Sequence, residues 1–249
     1  MDQRIKHFIT DTLGRINKSK SKTFILNGHD FNMPNIKLKD KKSKMNALII
    51  ELSKKYRLIG LDEAVFNIEN SDFKRPEIAF TFDDGFSECY EIAEVLSDNK
   101  ITGGFFISTA YHFNNESSIK LPLHKFKKTF LNKKEIKMIS NSGHIIGTHT
   151  SSHLSLNKIN SDNFYSEIIE PKKLLEKFLN FDCEYFAPPY GVCENLSNDL
   201  LLKIQNEYNY IFWSNNKNLS SLEKNGFNRR HFELDWSANS INYFLSKYK

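Results

Sequence analysis

Short apolar runs alternate with amphipathic segments along most of the chain, from Phe24 to the C-terminus. The runs are rich in residues that favour strands, and the segments between them carry apolar residues at helical spacing. The strand candidates are residues 23–27, 78–82, 103–108, 144–148, 184–187, 210–214 and 230–234. The helix candidates are residues 40–55, 88–98, 133–141, 162–179, 197–206 and 237–247. This alternation predicts βα units, a parallel sheet and a single domain over residues 23–249.

Residues 1–22 have a different pattern and are predicted to form an N-terminal amphipathic helical extension. Its apolar residues recur at helical spacing: Ile5, Phe8, Ile9, Leu13 and Ile16. Six Lys or Arg residues accompany them. Two interpretations remain open, since the helix either makes a peripheral contact with an anionic membrane or packs its apolar side on the domain. We favour packing, because basic amphipathic helices are common on soluble proteins.

Composition narrows the class of protein. The 249 residues are 39% hydrophobic and 13% aromatic, which is enough apolar side chain for a sizeable core. The net charge of +5 is too mild and too dispersed to indicate a nucleic-acid partner. The start of the chain lacks the apolar segment of a secretory signal, and no stretch approaches the length of a transmembrane helix. We therefore expect a cytoplasmic protein, with membrane association only through residues 1–22.

Three short stretches with chemistry-bearing side chains follow strand candidates. They are residues 81–85 (Thr-Phe-Asp-Asp-Gly), 149–153 (His-Thr-Ser-Ser-His) and 187–191 (Ala-Pro-Pro-Tyr-Gly). One carboxylate and two imidazoles are a common ligand set for Zn, and Co, Ni, Fe or Mn also bind such a set. The second carboxylate is left for proton transfer. A divalent metal with a spare base suits hydrolysis of a poor electrophile such as an amide.

In this order and spacing, the three stretches resemble the motifs of the polysaccharide deacetylase family, also called the NodB-homology domain or carbohydrate esterase family 4. The resemblance covers nearly the whole chain from about Phe24. It implies an α/β fold, a distorted and incomplete (β/α) barrel of about seven parallel strands. In such folds the active site lies at the C-terminal ends of the strands, and all three motifs follow strand candidates there.

The resemblance also implies roles for the motif residues. Asp84, His149 and His153 match the metal ligands of the family, and Asp83 matches its catalytic base. The main-chain N–H of Tyr190 matches the donor that stabilises the oxyanion.

Further substrate contacts follow from the same resemblance. Pro188 and Pro189 belong to the loop that borders the substrate. Trp236 resembles a Trp that lines the acyl or sugar pocket. An alternative for this segment is a helix N-cap region, with Asp235 or Ser237 capping the last helix.

The chain departs from the family in two places. Many members carry an Arg just before the Pro pair that orients the base, and here Phe186-Ala187 stands there. Arg229 and Arg230 are candidates to replace it, and we expect Arg230 to do so.

The second departure concerns the general acid. Many members supply a His from a late Leu-x-x-His motif, which is missing after Trp236. His231 is the nearest candidate, but strand alternation turns it outward if Arg230 points inward. His29, at the end of the first strand, and His124, in the long connection 109–132, are further candidates for proton donor or substrate contact.

Taken together, the residues and the resemblance predict a metal-dependent hydrolase that removes an N-acyl group, with acetyl expected, from an amino sugar. The substrate is expected to be a nucleotide-, lipid- or glycan-linked sugar used in surface polysaccharide or lipopolysaccharide biosynthesis. Two alternatives stay open. One is a catalytically silent carbohydrate-binding domain, suggested by the missing Arg and His. The other is a non-sugar amidase or deformylase on the same fold.

Overall fold

The structure is a computed structural model that describes residues 3–18, 21–28, 38–113, 122–126, 128–191, 196–214 and 225–247. The strands are β1 (Thr23–Gly28), β2 (Arg57–Leu58), β3 (Glu77–Phe82), β4 (Gly104–Ile107), β5 (Ile145–Thr148), β6 (Tyr185–Phe186), β7 (Tyr210–Trp213) and β8 (Gly226–His231). The helices are α1 (Gln3–Ile16), α2 (Leu38–Ser53), α3 (Leu61–Glu69), α4 (Glu88–Asp98), α5 (Ala110–Phe113), α6 (Lys133–Asn141), α7 (Glu170–Leu179), α8 (Asn198–Glu207) and α9 (Ala238–Ser246). Short helical turns lie at Pro122–Phe126, Leu156–Lys158, Tyr165–Ile169 and Pro189–Gly191.

All strand pairings are parallel, and they close a barrel. The strand order is β1-β8-β7-β6-β5-β4-β3-β2, and β1 also pairs with β3. Seven strands therefore form a ring, while the two-residue β2 lies outside it on the edge of β3. The prediction of an α/β barrel of about seven parallel strands is confirmed. The expectation that the barrel is incomplete is wrong, because β1 bridges β8 and β3.

Residue alternation along the strands separates the inside of the barrel from the helical shell. Ile25, Ala79 and Phe106 belong to a buried cluster that also contains Phe212 and Phe227. Their neighbours along the strands, such as Phe80, pack in a separate cluster with the helices. Side chains alternate across each strand, so one set fills the interior of the barrel and the other set packs against the surrounding helices.

The last strand begins and ends earlier than the sequence pattern predicts. The pattern predicts a strand over 230–234, whereas β8 covers Gly226–His231. Phe232 and Leu234 are buried, but they lie in the connection that follows the strand. The apolar side chains of this connection therefore resemble a strand in the sequence without forming one.

The N-terminal helix packs on the domain with an unexpected side. It lies along α9, where Thr10 Oγ1 is 2.9 Å from Ser240 Oγ and Asn17 Nδ2 donates to Ser246 Oγ over 2.8 Å. A Cβ on Gly14 would lie 1.7 Å from the main-chain oxygen of Asn239, so glycine permits the close approach. The expectation that the apolar side packs on the domain is wrong.

No helix in the described part of the chain is long and apolar enough to cross a membrane.

Candidate functional site

The three sequence motifs meet at the C-terminal ends of β3, β5 and β6. Asp84 Oδ1 lies 3.4 Å from His149 Nε2 and 3.2 Å from His153 Nε2. All three residues are buried, and one ligand atom from each lies within 4.8 Å of the others. The sequence-predicted metal ligands are therefore together in space.

Two of these three residues adopt an uncommon backbone conformation. Asp84 has a φ of 73° and His153 a φ of 62°, and Thr150 between the histidines has a φ of 58°. Non-glycine residues rarely occupy this left-handed region, and when they do they often mark functional sites. The backbone strain turns the side chains of Asp84 and His153 toward a common point.

The two histidines stand at the ends of a short segment, residues 149–153, which we call the histidine loop. His149 Nδ1 donates to the carbonyl oxygen of Ala187 over 2.6 Å, which fixes the tautomer and leaves Nε2 free for a metal. Ser108 Oγ donates to the carbonyl oxygen of His149 over 2.8 Å. The ligand is thus oriented from both β4 and β6.

Glu167 holds the middle of the histidine loop, and no sequence motif points to it. Its Oε2 accepts from the main-chain N–H groups of Ser151 and Ser152, at 3.1 and 3.0 Å. Its Oε1 accepts from Ser152 Oγ over 2.7 Å. Such supporting contacts set the geometry of metal ligands.

The charge state of these residues fits a divalent metal. Burial alone raises the pKa of Asp84, but His149 and His153 outweigh it and hold that pKa well below its usual range. Asp84 is therefore ionised at neutral pH, and the Nε2 atoms of both histidines face the same oxygen of its carboxylate. A carboxylate with two imidazoles suits Zn and its neighbours among the transition metals.

Asp83 is paired with a buried guanidinium from β8. Arg229 Nη1 donates to Asp83 Oδ1 over 2.7 Å, and Nη2 donates to Oδ2 over 2.8 Å. Asn27 Nδ2 donates to the same Oδ2 over 3.0 Å. The expectation that Arg230 replaces the missing family Arg is wrong. Phe227 of β8 belongs to the cluster inside the barrel, so strand alternation puts Arg229 inside as well and Arg230 outside. The guanidinium of Arg230 stacks on the ring of Phe244 instead.

The pair sits in a polar layer at the top of the barrel. Arg229 Nη1 also donates to Asn27 Oδ1 and Thr81 Oγ1, at 3.3 and 3.2 Å. Burial alone raises the pKa of Asp83, but Arg229 and His149 outweigh it and lower that pKa. Asp83 is therefore held as an oriented, ionised carboxylate.

These residues form the floor of a cavity of about 360 Å³. Other residues line the cavity together with the candidate metal ligands: Asp83, Phe86, Leu123, Lys125, Tyr190, Ser214 and His231. Leu123 and Lys125 belong to the long connection 109–132. The volume lies within the usual range for small-molecule sites.

His231 lines the cavity, and its position follows from the register of β8. Because Arg229 points inward, strand alternation brings His231 inward as well. The expected conflict, in which an inward Arg230 would turn His231 outward, therefore does not arise. His231 Nε2 lies 2.6 Å from Glu233 Oε1, and its ring packs edge-on against Trp236.

Other predicted contacts lie elsewhere. Pro188, Pro189 and Trp236 were expected to line the pocket, but they are not among the residues that do. The two prolines are buried within their loop, and Trp236 packs on Phe244. Ser237 caps α9 by accepting from the main-chain N–H of Ser240 over 3.0 Å, as the alternative interpretation expected.

Two further candidates are not described by the structure. His29 lies outside the described residues. His124 falls in the turn Pro122–Phe126, but its side chain lies outside the described part.

Tyr190 occupies the tip of the third motif. Its φ is 65°, its side chain is exposed, and its ring packs edge-on against that of His153 at 5.0 Å. Gly191 follows with a φ of 62°, and a Cβ there would lie 2.8 Å from the main-chain nitrogen of Ser214. The turn is thus held close to β7 and places Tyr190 beside the ligands.

A family model described as polysaccharide deacetylase matches residues 70–213 of the chain. Among curated proteins, the chain is 29% identical over 144 residues to peptidoglycan-N-acetylglucosamine deacetylase of Bacillus cereus, covering 57% of this chain and 46% of that protein. It is 27% identical over 146 residues to peptidoglycan-N-acetylmuramic acid deacetylase PdaA of Bacillus subtilis, covering 57% of this chain and 48% of that protein. The chain thus spans about half the length of these curated relatives.

Solved structures share the fold. IcaB from Ammonifex degensii has a TM-score of 0.67 at 17% identity, covering 92% of this chain and 99% of that chain. The Streptococcus pyogenes deacetylase PplD, in complex with acetate, has a TM-score of 0.64 at 17% identity, covering 90% of this chain and 97% of that chain. The family match spans more than half of the chain and contains Asp83, Asp84, His149 and His153. The chain belongs to the polysaccharide deacetylase family.

Proposed function

We propose that the protein is a metal-dependent N-deacetylase acting on an amino sugar of a glycan or glycan precursor. One observation carries the proposal. The carboxylate of Asp83, which is held by a buried Arg, lies beside the buried carboxylate and two imidazoles of the candidate metal site. Both line a single cavity. That arrangement provides a base next to a metal site, which amide hydrolysis requires.

Asp84, His149 and His153 would hold the metal. A divalent ion bound there would supply Lewis acidity to the acyl carbonyl and to the attacking water. We expect Zn, with Co, Ni, Fe or Mn as alternative occupants of the same ligand set.

Asp83 would accept the proton of the attacking water. Both of its oxygens already accept from Arg229, so the carboxylate cannot rotate away from the cavity floor. Its lowered pKa keeps it ionised and ready to accept a proton. Positioning and proton transfer thus depend on the same ion pair.

Two other groups of the cavity complete the assignment. The main-chain N–H of Tyr190 would donate to the oxyanion, a contact worth about 3 kcal/mol in preorganised sites. His231 would deliver a proton to the leaving amine, with Glu233 orienting its ring from 2.6 Å. Both roles are proposals based on their position at the cavity wall.

The curated relatives are named for N-acetylglucosamine and N-acetylmuramic acid in peptidoglycan. We therefore propose an N-acetylated amino sugar as the substrate class for this chain. Assembly of surface polysaccharide or lipopolysaccharide, from a nucleotide-, lipid- or glycan-linked sugar, is the setting that we propose for the reaction.

The test combines metal content and product release on the same purified samples. Wild type, Asp84→Ala and Asp83→Asn are measured for bound metal, and for acetate released from N-acetylglucosamine oligomers with Zn or Co added. We expect near-stoichiometric metal in wild type and Asp83→Asn, weak metal binding in Asp84→Ala, and acetate release in wild type only.

The alternatives give different results. Metal binding and oligosaccharide binding without release of acetate would support a carbohydrate-binding domain. Metal binding with hydrolysis of non-sugar amides or formyl groups, but not of the oligomers, would support an amidase or deformylase. Acetate release that persists in Asp83→Asn would contradict the assigned base.

A further inference from the structure

Helix α1 leaves its apolar side on the surface. Phe8 is 72% exposed, Ile9 41%, Leu13 37% and Ile16 76%. Four of the ten exposed large hydrophobic side chains in the described part of the chain thus lie on this one helix. Single exposed apolar residues need no explanation, but a contiguous set marks an interaction surface.

Among the described residues, α1 is held on the domain by other side chains than this apolar stripe. Thr10, Gly14 and Asn17 contact α9, and each follows directly after a stripe residue in sequence. Successive helix residues are turned by about 100° around the axis, so the two sets face different directions. The polar and small side is used for packing, and the apolar side faces outward.

Positive charge is concentrated in the part of the sequence that contains this helix. Residues 1–22 contain six Lys or Arg and two Asp, whereas the rest of the chain contains 29 Lys or Arg and 28 Asp or Glu. Arg15 has a side chain that is 71% exposed, although it pairs with Asp11 on the same helix. Basic residues next to an apolar stripe complement an anionic bilayer, where apolar side chains enter the interface and cations meet lipid headgroups.

The direction of α1 relative to the barrel follows from its contacts with α9. Asp11 accepts from Ser237 Oγ at the start of α9, and Asn17 contacts Ser246 at its end, so α1 and α9 run parallel. Helix α9 follows the C-terminal end of β8, where His231 lines the cavity. The first turns of α1 therefore lie toward the same end of the barrel as the cavity.

We propose that the protein docks on an anionic lipid surface through the exposed stripe of α1, Phe8, Ile9, Leu13 and Ile16. The contact between α1 and α9 persists in the bound state, because it uses other residues. The proposal goes beyond the deacetylase function and does not depend on it. It reverses the interpretation that the sequence favoured for this helix.

The test uses the full chain and sedimentation with vesicles. One vesicle preparation is phosphatidylcholine alone, and the other contains phosphatidylglycerol as well. The variant Phe8→Glu/Ile16→Glu is compared with Phe66→Glu/Leu202→Glu, a matched control because Phe66 is 60% and Leu202 57% exposed on other helices. Thermal unfolding of each variant establishes that it is folded.

We expect wild type and the control to bind the anionic vesicles, more weakly as NaCl is raised and hardly at all to phosphatidylcholine. The α1 variant should lose about tenfold or more in partition to the anionic vesicles. Absence of wild-type binding, or equal binding by the α1 variant, would overturn the proposal. So would a wild-type dimer that the α1 variant abolishes, if it appears without vesicle binding, since a second copy would then cover the stripe.

Discussion

Replacing Arg229 by Met tests whether the Asp83 ion pair supports both the fold and the site. Arg229 is 2% exposed and Asp83 4%, so the pair is screened from water. Met retains much of the side-chain length over the ring of Phe106, which the guanidinium faces at 5.2 Å. Removing one partner of a buried pair leaves an uncompensated charge and costs about 3–5 kcal/mol. Of the side-chain hydrogen bonds that Asp83 accepts in the wild type, only the 3.0 Å bond from Asn27 would remain.

The same change should affect activity through the pKa of Asp83. In wild type, Arg229 helps to hold that pKa below its ordinary value against the effect of burial. Without the guanidinium, burial dominates and the pKa rises. A protonated Asp83 cannot accept a proton, so the acid limb of the activity profile should move to higher pH. Loss of a general base lowers the rate by about 10²–10⁴-fold.

The matched control is Arg230→Met, one residue along β8 and outside the cavity lining. It should cost about 1 kcal/mol or less. Free energies of unfolding come from urea titrations of both variants, of Asp83→Asn and of Asp83→Asn/Arg229→Met. The double variant should be more stable than the two single effects added together, because it buries no unpaired charge. Equal stability of Arg229→Met and Arg230→Met, or strict additivity in the double variant, would refute the reasoning.

Three further predictions concern the loop, a core imidazole and the metal. Glu167→Ala should weaken metal binding by about 10–100-fold, because the histidine loop loses its support. Calorimetric titration measures the metal affinity of this variant and of the control Glu170→Ala, and equal affinities would contradict the assigned role. Burial lowers the pKa of His144 below 6.5, and its Nδ1 accepts from the main-chain N–H of Gly103, so the folded protein keeps this imidazole neutral. Stability should therefore fall as pH drops below about 6.5, where the unfolded chain gains the proton, and melting temperatures of His144→Gln should depend less on pH. Chelation should abolish acetate release from wild type and added Zn should restore it, whereas Asp84→Ala should not recover at the same Zn concentration.

The sequence was informative wherever a motif follows a strand. The end of a parallel strand fixes where its next side chains point, so the amino-acid sequence alone could place Asp84, His149 and His153 together. Helix α6 matches its predicted bounds because Asn132 forms a capping box with Glu135, a local signal that sequence carries directly.

Sequence reasoning failed where the outcome depended on distant pairing. The register of β8 is set by its partners β1 and β7, and it puts Phe227 and Arg229 on the interior face. The local pattern does not show which face of β8 is interior, so the sequence prediction exchanged the roles of Arg229 and Arg230. Glu167 contacts the histidine loop from 15 and 16 residues away, and no local pattern distinguishes it from other surface acids. The side of α1 that packs was also misjudged, because Gly14 and polar residues make that contact.

The closure of the barrel through β1 has a consequence for synthesis of the protein. Arg229 is 146 residues from Asp83 and 202 residues from Asn27, so the first and last strands must meet to complete this pair. Contacts between such distant parts of a chain require closure of a long loop, which makes them slow to form. During translation, the three metal ligands emerge from the ribosome long before the guanidinium that holds the base. A nascent chain would therefore become able to bind metal before it becomes able to catalyse, and its activity would begin only when β8 enters the ring.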